Sequence, residues 1–145
     1  MEELIKIRPA THEDRADVAS LMAQLGYPCT PAEMEQRLDR LSLLASEQVF
    51  VAERAGQVLG VGSVHLIPLL HASGNVGRIT ALVVRADVRG QGIGRRLVQE
   101  AESWAWSHDC VRMEVTSGDH RPDAHRFYEA CGFKYDERRF LKRKS

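Results

Sequence analysis

The sequence predicts a mixed α/β (α+β) fold, and three features point to it. Short runs of alternating apolar and polar residues are interleaved with longer runs whose apolar positions recur at helical spacing. No repeat, low-complexity tract or Pro/Gly/Ser-rich linker divides the 145 residues, so the elements read as one domain, residues 1–145. Hydrophobic residues make up 43% of the chain, enough to bury a core without a metal or disulfide staple.

Leu4 to Arg8 alternates and then meets Pro9, which reads as a short strand ended by a residue that cannot donate to a ladder. Thr11 stands three residues before Asp14, and Val18, Leu21, Met22 and Leu25 then recur at helical spacing until Gly26 stops the helix. After the Gly26-Tyr27-Pro28 turn, Thr30, Pro31 and Glu33 are placed to open a second helix with the stripe Met34, Leu38, Leu41 and Leu44. Gln48 to Glu53 and Gln57 to Leu66 flank Ala55-Gly56 as a hairpin whose second arm ends at Pro68. Leu69 to Gly77 reads as a loop and Arg78 to Val84 as a strand. A Gly-rich turn follows, and Ile93, Leu97, Val98, Ala101, Trp104 and Ala105 mark a long helix. Trp104 and Trp106, two apart, cannot share its face, so Trp104 is expected in the core and Trp106 at the periphery. Val111 to Thr116 predicts a strand, Arg121 to Cys131 a helix stopped by Gly132, and Phe133 to Leu141 a last, heavily charged strand.

Charge and cysteine usage exclude several classes. Twenty Lys+Arg balance twenty Asp+Glu, so no global field draws the chain to nucleic acid or an anionic membrane, and the basic Lys142-Arg143-Lys144 run is short. Cys29, Cys110 and Cys131 are odd in number and far apart, which suits a reducing cytoplasm and suggests neither a disulfide framework nor a metal site. No apolar run approaches the roughly 20 residues of a membrane helix. The expectation is a cytoplasmic protein with no nucleic-acid or membrane partner.

The most informative segment is Arg89-Gly90-Gln91-Gly92-Ile93-Gly94-Arg95-Arg96-Leu97, where a strand hands over to a helix. Glycines let a ligand approach the backbone, and the N–H groups of a helix's first turn attract an anion, a pyrophosphate above all. The segment lacks the GxxxxGK[ST] of a P-loop, and Leu97 occupies the third glycine slot of a dinucleotide-binding G-x-G-x-x-G.

Arg89 to Gly94 resembles the R/Q-x-x-G-x-G/A motif of the GNAT superfamily of N-acetyltransferases. Leu82-Val83-Val84 before it, and Ala124, Tyr128 and Gly132-Phe133 after it, resemble two further blocks of that family, and the element order resembles the fold throughout. The resemblance implies a GNAT fold: a central mixed, mostly antiparallel, splayed sheet flanked by about four helices. It implies acetyl-CoA as cosubstrate, held by the backbone of Leu82, Val83 and Val84 and by the N–H groups of Gln91, Gly92, Ile93, Gly94 and Arg95. Gly90 belongs to the same loop, and Arg89 and Arg95 add positive charge.

Tyr128 matches the family's general acid, a phenol protonated at neutral pH that can protonate a leaving thiolate. His125 lies one turn earlier on the same helix. Many family members place a carboxylate one residue before the Leu-Val-Val block, where this chain has Ala81. Glu114 is the base candidate we favour, with His65, His71, Asp119 and His120 as others. Arg121 stands where many members carry an Asn, and Thr116 to Tyr128 is similar to the variant in small-amine and aminoalkylphosphonate acetyltransferases. That hint favours a small, anionic amine clamped by Arg121, Arg126 or Arg138, with Tyr27 as an aromatic wall. The implied reaction is direct transfer of the acetyl group to a small molecule's primary amine, and the sequence singles out no metal ligands. Acetylation of a protein N-terminus or lysine, and a non-catalytic acyl-CoA-binding sensor, are the alternatives. The resemblance also implies a homodimer.

Overall fold

The computed structural model describes residues 4–116, 122–136 and 140–144. Five strands form one sheet in the order β1-β2-β3-β4-β5. They are β1 (Lys6–Pro9), β2 (Glu47–Arg54), β3 (Gln57–Pro68), β4 (Asn75–Val84) and β5 (Cys110–Val115). All neighbours run antiparallel except β4 and β5, which are parallel and therefore need the helical crossover between them. Four helices flank the sheet: α1 (Arg15–Leu25), α2 (Pro31–Ser42), α3 (Ile93–Ser107) and α4 (Pro122–Ala130).

The helix boundaries follow from local chemistry. Thr11 N–H donates to the Asp14 carboxylate at 2.8 Å, a capping box that opens one 3₁₀ turn leading into α1. Gly26, at φ +106°, ends α1. Thr30 and Glu33 cap α2 reciprocally, each bond 3.1 Å. The apolar stripe of α2 stops at Leu41 rather than Leu44, because the helix ends at Ser42 and leaves Leu43 85% exposed. Ala55 and Gly56 both take positive φ, the pairing that a two-residue turn between right-twisted strands requires.

Two expectations need correction. β4 begins at Asn75, because Asn75, Val76 and Gly77 pair with Pro68, Ile67 and Leu66 and so extend the strand into the expected loop. Residues 133–136 and 140–141 lie outside any strand, and 137–139 fall outside the described residues. The alternation after α4 is absorbed by the helix itself. Phe133 N–H donates to the Tyr128 carbonyl at 3.0 Å, the Phe133 ring meets Tyr128 edge-on, and Tyr135 stacks on His125.

The strand alternation divides the core between the two faces. Phe50, Leu59, Val64 and Ile79 face Ile93, Leu97, Val98 and Ala101 of α3, with Trp104 packed beside them and Trp106 exposed as expected. Val51, Val58, Val61 and Val83 face Val18 and Leu21 of α1 and Met34 and Leu38 of α2. Gly60 lets α3 approach closely, since a Cβ there would lie 3.1 Å from Leu97 Cδ1. Asp14, 7% exposed, receives both guanidinium nitrogens of Arg8 at 2.9 and 2.8 Å and so ties β1 to the start of α1. Burial pushes the Asp14 carboxyl up, but Arg8 and the Thr11 N–H outweigh it and hold the group below its usual value.

Candidate active site

The site begins at an irregularity in β4. Ser63 pairs with Ala81 while Val64 pairs with Ile79, so Thr80 is an extra residue on the β4 side. The bulge changes the parity of the strand: Ile79 and Leu82, three apart, both pack on the α3 side, and Val83 packs on the α1/α2 side. Pairing of β4 with β5 ends at Ile79 and Val115, so among the described residues Thr80–Val84 has no strand neighbour on that edge.

The loop is braced from three sides. Gln24 of α1 spans its start, donating to the Val84 carbonyl at 2.8 Å and accepting the Ala86 N–H at 3.1 Å. Arg85 grips Asp87 at 2.6 and 2.9 Å around a 3₁₀ turn, holding the Asp87 carboxyl below its ordinary value, and Val88 is buried beneath. Arg54, at the end of β2, donates to the Gln91 side chain at 3.0 Å.

Gly92 then caps α3 at φ +81°, a conformation that strongly favours glycine. The first intrahelical bond runs from Arg96 N–H to the Gly92 carbonyl at 3.2 Å. The N–H groups of Ile93, Gly94 and Arg95 precede it, so they lack helical acceptors, and no acidic residue occupies this first turn. Arg89 and Arg95 are exposed beside it. Nothing lies within 4 Å of a Cβ built on Gly90 or Gly92. This open, electropositive helix end at the exit of β4 fits a pyrophosphate and its attached arm. Arg96 has a structural task, donating to the Ile5 carbonyl of the N-terminal segment at 2.7 Å.

Gly94 does something different from Gly92. A Cβ at Gly94 would lie 3.1 Å from Phe127 Cζ and 3.5 Å from Val84 Cγ2. Its missing side chain lets α4 cross the first turn of α3. That crossing brings Tyr128, half-buried between Phe127 and Phe133 with ring centroids at 5.2 and 5.8 Å, to the same end of the sheet. His125 Nε2 is buried with no hydrogen-bond partner among the described residues.

The remaining candidates are spread over other elements. Glu114 sits on β5 directly across from Arg78, whose Nε donates to it at 2.8 Å, and Arg112 lies 3.9 Å from its other oxygen. His65 sits on β3 and hydrogen-bonds Glu47 of β2, while His71 is exposed in the β3–β4 loop. Tyr27 is 68% exposed between α1 and α2. Arg126 is exposed on α4. Arg121, Asp119, His120 and Arg138 fall outside the described residues. Sequence reasoning missed Gln24 and Arg54, since each acts across a separation of 37 residues or more and neither carries a local signal. A cleft of about 540 Å³ between Leu38, Leu41, Trp104 and His108 lies at the other end of α3, away from the glycine loop.

Comparison with known proteins agrees with this geometry. The model of the acetyltransferase (GNAT) family matches residues 15–133. The chain is 33% identical over 142 residues to an aminoalkylphosphonate N-acetyltransferase of Salmonella typhimurium, covering 94% of this chain and 90% of that one. It is 30% identical over 141 residues to glucosamine 6-phosphate N-acetyltransferase 1 of Oryza sativa subsp. japonica, covering 90% and 82%. A crystal structure from Bacillus halodurans, described as a transcriptional regulator, shares the fold with a TM-score of 0.88 at 25% identity, covering 97% of this chain and all of that one. With a family match across most of its length and the bulged strand, glycine loop and crossing helix in place, the chain belongs to the GNAT family of acetyltransferases, whose acetyl donor is acetyl-CoA.

Proposed function

We propose that the protein transfers the acetyl group of acetyl-CoA to the primary amine of a small molecule that also carries a phosphonate or phosphate. The observation that carries the donor half is the open first turn of α3, with no acidic residue in it, at the exit of β4. In this reading the N–H groups of Gln91 to Arg95 take the pyrophosphate, helped by Arg89 and Arg95. The edge of Leu82 and Val84 takes the extended arm, one lone pair of the Val84 carbonyl being already used by Gln24. The acceptor half is supported by the two relatives, whose names specify an aminoalkylphosphonate and glucosamine 6-phosphate, each an amine bearing an anionic phosphorus group.

In this scheme Tyr128 is the general acid. Its aromatic packing orients the phenol, and its proton goes to the departing sulfur as the C–N bond forms and the C–S bond breaks. Tyr27 and Arg121 are assigned to the acceptor. The test is thiol release from acetyl-CoA with aminoethylphosphonate, glucosamine 6-phosphate, polyamines and short peptides, run beside calorimetric titration of CoA. Turnover confined to the phosphorus-bearing amines is the expected result. Turnover on peptides alone would replace the small-molecule reading, and CoA binding without turnover on any amine would replace the enzyme with a sensor.

A further inference from the structure

The acceptor face of the sheet carries a row of charge that the scheme so far does not use. Glu47 of β2 pairs in register with His65 of β3, His65 with Arg78 of β4, and Arg78 with Glu114 of β5. The row resolves into two couples, Glu47 with His65 and Arg78 with Glu114. His65 shares its strand face with Val61, which packs beneath α1 and α2, so the row lies on that face. Two positions along β3, on the same face, Ser63 Oγ shares a hydrogen bond of 2.6 Å with Thr80 Oγ1 at the bulge. This hydroxyl pair flanks Ala81, the Cα partner of Ser63.

We propose that His65 is the general base of the acetylation proposed above, reached from the bulge through the Ser63–Thr80 hydroxyl pair and bridging water, with Glu47 as its positioning residue. Glu47 is bonded to His65 Nδ1, and an ionised carboxylate can only accept, so Nδ1 carries the proton and Nε2 keeps its lone pair. Among the described residues, the charged strand partners of His65 are Glu47 and Arg78, and Arg78 is tied to Glu114, which leaves Glu47 to the histidine. Ser63 and His65 are separated by two strand steps, roughly 6.6 Å between Cα atoms, and their side chains rise from the same face, where water can bridge hydroxyl and imidazole.

The protons balance. The acceptor arrives as an ammonium, and one proton passes along the hydroxyls and water to His65 Nε2, which is 38% exposed as a side chain and releases it to solvent. As the C–N bond forms and the C–S bond breaks, the amine's second proton is lost and replaces the one Tyr128 gives to sulfur. The net change is one proton released per amide formed.

The inference is tested with H65Q, E47Q and S63A in the full chain, using aminoethylphosphonate and glucosamine 6-phosphate as amines. H65Q is expected to lose about 10²-fold in kcat/KM at neutral pH while binding CoA and melting as the parent does. Its residual rate should climb about tenfold per pH unit, as free amine replaces ammonium, where the parent is nearly flat. E47Q should show a smaller loss with the same change of slope, S63A an intermediate one, and imidazole should restore H65A. An H65Q protein with the parent's rate and profile overturns the assignment while leaving the acetyltransferase reading intact. A parent protein with no turnover on either amine overturns instead the phosphorus-bearing-amine reading on which the assignment rests.

Discussion

Gly92 and Gly94 are two residues apart in one motif, yet the structure predicts that they fail differently. At Gly94 an added methyl would sit 3.1 and 3.2 Å from Phe127 Cζ and Cε1. Carbon atoms prefer about 3.5–4.0 Å, so the ring must retreat by a few tenths of an ångström. Phe127 cannot move alone, because its ring is edge-on to Tyr128 at 5.2 Å on the same helix. Overpacking of this kind costs roughly 1–3 kcal/mol, and the gain of alanine over glycine in a helix returns about 0.5–1 kcal/mol. Gly94→Ala should therefore lose about 1 kcal/mol, a fall in Tm of roughly 4 °C for a chain of this size. Gly92→Ala meets no neighbour but must hold φ +81°, at a cost of about 1 kcal/mol. The two variants thus melt alike. They separate in function: Gly92→Ala projects its methyl into the open space at the helix end and weakens CoA binding, whereas Gly94→Ala displaces Tyr128 and lowers kcat at nearly unchanged CoA affinity. Thermal melts, CoA calorimetry and steady-state kinetics on both variants decide the matter. A Gly94→Ala protein with the parent's Tm and kcat but weakened CoA binding would refute the packing role assigned to Gly94.

Tyr128→Phe should depress kcat by about 10–10³-fold while leaving CoA affinity intact, and an unaltered rate in the thiol-release assay would remove Tyr128 from the mechanism. Asp14→Asn should cost about 2 kcal/mol in chemical denaturation, because it removes the bidentate acceptor of Arg8 and leaves that guanidinium only its longer bond to Glu53. Since the folded-state pKa of Asp14 lies below its unfolded value near 3.9, the stabilisation is fully present above about pH 4 and is lost as pH falls through the folded value. Acid unfolding of Asp14→Asn should accordingly be less steep than that of the parent. Gln24→Ala removes two bonds that bridge α1 to the exit of β4, and weaker CoA binding by a few fold, read by calorimetry, is the expected consequence.

What the sequence made legible was whatever is written locally. Thr11 with Asp14 and Thr30 with Glu33 announce helix starts through side chains that reach only three residues, and both capping boxes form. Ala55-Gly56 specifies its turn in the same way. The glycine loop was legible because it combines a strand end, a positive-φ cap and a helix start in one short stretch. Long-range matters were not. The alternation from Phe133 onward has the period of a strand, but its rings found partners on α4, and period alone does not say which surface a side chain will meet. Phe127 reads as an ordinary core residue until Gly94 is seen beneath it.

The base shows the same limit most clearly. Reading along the chain, Glu114 is the nearest acid on the strand that follows the motif helix, and Ala81 looks like a loss. Sheet register changes both judgements. Glu114 lands opposite Arg78, and its oxygens are taken up by guanidinium groups on either side. Ala81 lands opposite Ser63, beside a bulge that inserts Thr80 into the same neighbourhood. Glu47 and His65, 18 residues apart in sequence, are made adjacent by a hairpin whose register is set by its two-residue turn together with the bulge that makes Leu59 an extra residue of β3. A one-residue slip of that hairpin would send His65 to the α3 face and break the couple with Glu47.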